Sequence, residues 1–234
     1  MNFKRSHKPL LNTMFYVLDT VPSNVLKSLE KPIDKIKQNF YSSVHMGQSL
    51  IGHIDHEYVL KIPNKVKLYI KDIVNNLDPG TQGYLQPIIN HFPDKKPQFS
   101  FSTAWVNFQQ KHEYNPPHIH SGLYSYVIWY KIPYLLEDEL KVGPGKIKQT
   151  ILKYGEDNYV EGFNYNDVNM NGCFSFICPD NNGLIKNELL PVDNKWEGTI
   201  ALFPSVLYHS VYPFYSSDDY RITISGNIDI SNLK

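Results

Sequence analysis

Two cysteines among 234 residues, Cys173 and Cys178, are too few for a disulfide framework. They lie in Gly172-Cys-Phe-Ser-Phe-Ile-Cys-Pro179, which reads as one strand, and their odd separation turns them to opposite faces, against both a shared bridge and a shared metal. Excess charge of either sign is also missing. Lys plus Arg and Asp plus Glu number 23 each, for a formal net charge of zero, so no basic field is available to hold a phosphate backbone and nucleic acid is not an expected partner. The lysines from Lys61 to Lys71 read as the solvated face of a helix rather than a binding patch. There is no long apolar run. The basic start, Met1-Asn-Phe-Lys-Arg-Ser-His-Lys8, is followed by a stretch broken at Asn12, Thr13, Asp19 and Thr20, which suits neither a signal peptide nor a membrane span. Internal repeats and low-complexity segments are lacking too, and the expected setting is the cytoplasm, with no membrane partner.

What is present is a core. A hydrophobic content of 41% over this length supports one sizeable domain, and 14% aromatics with 17 Tyr lean the composition toward strands. The simplest division is an N-terminal helical and extended segment over 1–97, packed on a β-rich core over 98–234. In the first segment Phe15 to Leu18 suits a short strand. A helix is expected from Pro22-Ser23 to about Phe40, with Ser23 as N-cap and Pro32 as an interruption. A second is expected over 64–77, capped by Asn64 and carrying Val66, Ile70, Ile73, Val74 and Leu77 inward. His45, His53 and His56 lie between them in what reads as an ordinary polar loop, with metal binding as the alternative. From Gln98 the texture changes to short strands punctuated by Pro, Gly, Asn and Asp, near 99–109, 123–132, 147–153, 173–178, 184–190, 198–203, 208–213 and 220–229. Eight such strands argue for a sandwich or jelly roll rather than a parallel α/β sheet. Phe174 and Phe176 belong to its core, and the charged, Gly-rich stretch from Leu135 to Gly172 reads as solvated loops or, alternatively, as a lid.

The chemistry-bearing residues lie in that second part. His118 and His120, in Asn115-Pro-Pro-His-Ile-His-Ser-Gly122, are two residues apart and project to one face of an extended strand. Pro116 and Pro117 deny helix and ladder donors just before them, so His118 is expected at a strand mouth. His209, in Leu202-Phe-Pro-Ser-Val-Leu-Tyr-His-Ser210, follows a buried apolar strand, Thr199 to Pro204, that ends at its proline. Three imidazoles gathered on one side of a metal leave its other positions open, which a closed structural site does not. Further on, Arg221-Ile-Thr-Ile-Ser-Gly-Asn-Ile-Asp229 alternates, with Arg221, Thr223 and Ser225 on one face and Ile222 and Ile224 on the other. An inward arginine asks for an anion. His112, a spare ligand candidate, stands on the far side of the proline pair and is read as a residue of the surface or one lying behind the metal.

This succession of His-x-His, a long gap, His, and then Arg with a hydroxyl two residues on resembles the 2-oxoglutarate and Fe(II)-dependent dioxygenases. The words Trp105-Val-Asn107, His118-Ile-His120, Ser125-Tyr-Val-Ile-Trp-Tyr130 and Leu202-Phe-Pro-Ser205 resemble more narrowly the small prolyl-hydroxylase-like oxygenases, including those encoded by tailed bacteriophages. The resemblance spans roughly Gln98 to Asp229 and implies a double-stranded β-helix. It implies His118, His120 and His209 as iron ligands, Arg221 bridging the distal carboxylate of 2-oxoglutarate with Thr223 beside it, and Asn107 and Ser125 as further cosubstrate contacts. A planar guanidinium suits that grip because it binds a carboxylate bidentately and stays charged. The implied activity is hydroxylation of a small molecule or a peptidyl residue, consuming O2 and 2-oxoglutarate.

At one position the sequence departs from the family pattern, which has an acidic second ligand where His120 stands. A neutral imidazole there leaves the site one charge more positive and alters its metal preference. Three arrangements are therefore open: three histidines on iron, His120 behind the metal with water completing the set, or no catalytic metal. Two other functions stay in view. One is a three-His iron dioxygenase that uses no 2-oxoglutarate, with Arg221 gripping the substrate's own carboxylate. The other is a non-catalytic jelly-roll binding or virion-associated protein.

Overall fold

The computed structural model describes residues 4–11, 14–47, 50–77, 84–91, 98–139, 141–142, 170–180 and 182–231. Three strands, β1 (Ser6–Leu11), β2 (Met14–Thr20) and β3 (Glu57–Val59), precede eight more. These are β4 (Gln98–Gln109), β5 (Asn115–His118), β6 (Tyr124–Lys131), β7 (Phe174–Pro179), β8 (Ile185–Leu190), β9 (Thr199–Pro204), β10 (Tyr208–Val211) and β11 (Arg221–Ser231). The pairing of the last eight is nested: β7 with β8, β6 with β9, β5 with β10 and β4 with β11, all antiparallel. A chain that folds back on itself in this way and wraps the doubled ribbon into two facing sheets is a jelly roll, or double-stranded β-helix. One sheet has the order β1-β2-β9-β6-β11-β4-β3 and the other β5-β10-β7-β8.

Each face of the larger sheet has its own reason to be apolar. The helices α1 (Ser23–Leu26), α2 (Glu30–Lys37) and α3 (Asn64–Asn75) cover its outer face. Val25, Leu29, Ile33, Val66, Ile70 and Ile73 pack there with Val106, Phe108, Tyr126, Ile128, Ile222 and Ile224 in one cluster. The inner face meets the smaller sheet through Trp129, Phe174, Phe176, Phe203 and Phe214. Strands covered on both sides lose simple alternation, and β9 is buried along its whole length.

The segment before residue 98 does more than pack on the core: β1 and β2 extend the larger sheet beyond β9, and β3 extends it beyond β4. A 3-10 turn, Lys27–Leu29, joins α1 to α2, and Pro32 lies in the first turn of α2, where a missing N–H costs nothing. Ser23 and Asn64 are the first helical residues rather than the caps. Pro22 and Pro63 take the cap positions, with no side-chain capping bond. β5 is a strand in spite of Pro116 and Pro117 because it lies at the edge of its sheet, where one side needs no donors. The expected strand over 147–153 and most of the candidate lid lie outside the described residues. Cys173 and Cys178 form no disulfide. Among the described residues no helix is long and apolar enough to cross a membrane.

Candidate metal centre and its cavity

Antiparallel register brings the histidines together. His118, the last residue of β5, is the direct Cα partner of His209 on β10, and side chains so opposed are in contact distance. Their ring centroids lie 4.3 Å apart. His120 is beyond the end of β5, in the turn leading to β6, where its backbone N–H donates to Ser205 O at 2.9 Å. Its ring comes to 4.9 Å from that of His118 and 5.0 Å from that of His209. One ring nitrogen from each of the three lies within 4.8 Å of the others, and no other such group of His, Cys, Asp or Glu occurs among the described residues. His45 and His56 are held instead by Asp55 O and the Tyr58 hydroxyl, and His53 stacks on Tyr114.

Hydrogen bonding settles which nitrogens face the cluster. His118 Nδ1 is 2.7 Å from Pro116 O and His209 Nδ1 is 2.9 Å from Leu207 O. A carbonyl can only accept, so each Nδ1 carries the proton and each Nε2 keeps its lone pair. Burial pushes the pKa of His118 down, and the Pro116 bond only partly offsets it. Burial, and then the neighbouring His118, lower His120 to about 4. His209, against Phe174 and Phe203, is lowered furthest, by burial and then by His118 and His120. Neutral imidazoles, with the lone pairs of His118 and His209 turned inward, are the protonation state that ligation to a divalent ion requires.

Behind the triad is a cavity lined also by Asn107, Ser125, Arg221, Thr223 and Ser225. Every residue that the sequence reading assigned to metal or cosubstrate therefore opens on one space. Strand β11 supplies Arg221, Thr223 and Ser225 to the inner face, with Ile222 and Ile224 on the outer one, as alternation predicts. Asn107 and Thr223 are Cα partners, and Asn107 Nδ2 donates to Thr223 Oγ1 at 3.1 Å. Ser125 Oγ donates to Asn227 Oδ1 at 2.8 Å.

Arg221 is 1% exposed and spends all its donors inside the chain. Nε and Nη2 donate to Gln109 Oε1 at 2.9 and 2.5 Å, Nη1 to the Tyr134 hydroxyl at 2.6 Å and Gly172 O at 2.8 Å, and Nη2 also to Tyr212 O at 2.9 Å. These acceptors are neutral. The anion that an inward arginine was expected to meet is thus not a carboxylate of the described chain.

Among the cavity residues with no role assigned from the sequence is a buried carboxylate. Glu57 on β3 is the Cα partner of Asn107 and is 3% exposed. Its Oε1 has no hydrogen-bond partner. Burial, and then the nearby Glu113, push its pKa up to about 7, against a smaller lowering by Asn115. A single Glu in an edge strand has no spacing that would mark it; the one available signal was a carboxylate in Glu57-Tyr-Val59, beside the otherwise apolar Tyr58 and Val59.

Fold and donor set define a jelly-roll protein with a candidate three-histidine metal centre. No family model matches the sequence, and no curated protein matches it. Solved structures with a similar course include a Pseudomonas putida prolyl-4-hydroxylase, at a TM-score of 0.48 and 11% identity over 93% of either chain. A Burkholderia pseudomallei oxidoreductase of the 2OG-Fe(II) oxygenase family has a TM-score of 0.42 and 12% identity, over 91% of this chain and 84% of that one. EvdMO1 has 0.44 and 12%, over 91% of this chain and 47% of its own.

Proposed function

We propose that this protein is a non-haem Fe(II) oxygenase that uses 2-oxoglutarate and O2 to hydroxylate a small-molecule or peptidyl substrate. The observation that carries the reading is the triad: three neutral imidazoles, two of them buried and His120 half-buried, converge on a jelly-roll cavity, with two of them fixed by carbonyl bonds to turn Nε2 inward. His118, His120 and His209 would hold the metal. Bound iron supplies the activation of oxygen; the chain supplies orientation and shelter from water. Phe174 and Phe203 dry the rear of His209, and Trp105 lies against His120 at 5.3 Å. On this reading Arg221 and Thr223 receive the distal carboxylate of the cosubstrate. Arg221 would then exchange part of its bonding to Gln109 for the carboxylate, a stronger, charge-assisted partner. Zero net formal charge fits such a substrate better than a polyanion.

One observation favours a second reading. Arg221 has no spare donor in the arrangement described, so a three-His iron dioxygenase that needs no 2-oxoglutarate fits the cavity with no rearrangement of the guanidinium, provided that Arg221 stays a structural tie and does not grip the substrate's carboxylate as first expected. Anaerobically purified protein loaded with Fe(II) separates the two. The first predicts a rise in melting temperature with N-oxalylglycine, a non-reactive mimic of the cosubstrate, and succinate formation from 2-oxoglutarate. Oxygen uptake with neither effect supports the second reading instead. Failure to bind Fe(II), Mn(II) or Co(II) at all removes both.

A further inference from the structure

Three polar side chains that line the cavity each carry an oxygen without a hydrogen-bond partner. Glu57 Oε1, Asn107 Oδ1 and Asn115 Oδ1 all lack a hydrogen-bond partner, although the residues are only 3%, 7% and 8% exposed. All three line the cavity that the histidines open on. For Asn107 the amide orientation follows from its neighbour, because Nδ2 donates to Thr223 Oγ1 and leaves Oδ1 as the outward atom. Buried acceptors without donors are costly, and a carboxyl is the costliest of them. Within the described chain the natural counter-ion does not come: Arg221 is committed elsewhere, and no salt bridge reaches Glu57. Nor does Glu57 join the metal set, whose members are the three histidines alone.

Resting on the proposed reading of this cavity as a metal-containing reaction chamber, we propose that Glu57, Asn107 and Asn115 form an acceptor-only corner that receives a cationic N–H-bearing group of the substrate, an alkylguanidinium or alkylammonium. The chemistry matches in number and sign: such a group brings several donors and one positive charge to three acceptors and one carboxylate. The approach to the corner is apolar. Leu50, Ile51 and Ile54 come from the loop before β3 and Trp105 from β4, so an alkyl stem is covered and an aromatic face is near the cation. Ile51 is 61% exposed, at the rim where a substrate would enter. Gly52 lets that loop lie directly on Asn115: its φ is +147°, and a Cβ there would fall 1.7 Å from Asn115 Oδ1. The corner therefore selects against an anionic substrate end and leaves the carboxylate-binding role to the Arg221 side of the cavity.

The test uses Co(II)-loaded protein and the near-isosteric pair n-butylguanidinium and n-butylurea, since a guanidinium does not ligate the metal and the urea is neutral, with a carbonyl acceptor in place of one NH2 group. Calorimetric titration is expected to show the guanidinium binding tighter by on the order of tenfold or more. Glu57→Gln, neutral and of the same shape, is expected to abolish that preference while the Co(II) absorption spectrum stays as in the wild type. Equal binding of the two probes to the wild type, as a merely water-filled corner would give, overturns the proposal, and so does a preference that survives in Glu57→Gln. Absence of a Co(II) spectrum sensitive to His209→Ala strikes instead at the metal-centre reading, and the guanidinium preference in the unloaded protein then still decides the corner.

Discussion

Glu57 is where a residue-scale consequence is easiest to measure. Its carboxyl is raised from an ordinary 4.5 to about 7, by burial first and Glu113 second, so the folded state binds its proton more tightly than the unfolded chain. The contribution is neutral below the unfolded value; stability is then lost as pH rises from 4.5 to about 7 and stays lost above it. The size is on the order of 3 kcal/mol for a group this deeply buried. Glu57→Gln is therefore expected to raise the melting temperature at pH 8 and to leave it nearly unchanged at pH 4.5, followed by circular dichroism on metal-free protein. A gain of equal size at both pH values would mean that the carboxyl is not held as described. This residue was hidden in the sequence because its role depends on β3 pairing with β4, which sets it opposite Asn107. The strand positions of His118 and His209 and the inward face of Arg221 were legible, since strand periodicity and proline punctuation are local, whereas His120, expected on the same strand as His118, lies in the turn beyond it.

Among the elements, β11 does two jobs that sequence alone merges into one. Alternation correctly put Arg221, Thr223 and Ser225 on the cavity face, yet what the guanidinium touches there comes from elsewhere: Gln109 at the end of β4, Tyr134 beyond β6, and the carbonyls of Gly172 and Tyr212. Arg221 thus ties the start of β11 to four separate places in the chain, whatever it does for a cosubstrate. Arg221→Ala would orphan all those buried acceptors, and a loss of more than about 3 kcal/mol is expected from unfolding in urea with chelator present. Arg221→Lys, a single ammonium without the planar fork, is expected to recover only part of it. A melting curve for Arg221→Ala that matches wild type would show that the guanidinium has no anchoring role. Loss of turnover in these variants cannot therefore be assigned to cosubstrate binding until stability has been measured beside it. β5 teaches the converse lesson: its two prolines argued against a ladder, and the edge position in the sheet, which no local pattern reports, is what allows one.

At the scale of the molecule, a jelly roll was readable because short, punctuated strands leave few alternatives, although β5 was not among the eight expected strands and the one over 147–153 lies outside the described residues; the nested pairing and the use of β1, β2 and β3 as sheet extensions were not readable. Those strands are recruited by the open edges of the core sheet, a property of the assembled fold rather than of residues 6–20 or 57–59. The jelly roll also makes the metal centre a structural joint: His118 and His209 are on paired strands of the smaller sheet, while His120 is tied by its backbone to the turn after β9 in the larger one. An ion held by all three would bind the native state and not the unfolded chain, and so link the two sheets at their open end. At a hundredfold excess over its dissociation constant it adds about 2.7 kcal/mol, which for a domain of this size is a rise of roughly 5–10 °C in melting temperature. Titration with Co(II) under scanning calorimetry is expected to give that rise for the wild type, a smaller one for His120→Ala if two histidines and water still hold the ion, and none for His209→Ala. An equal rise in wild type and His209→Ala would place the metal elsewhere on the molecule and separate the jelly roll from the chemistry assigned to it.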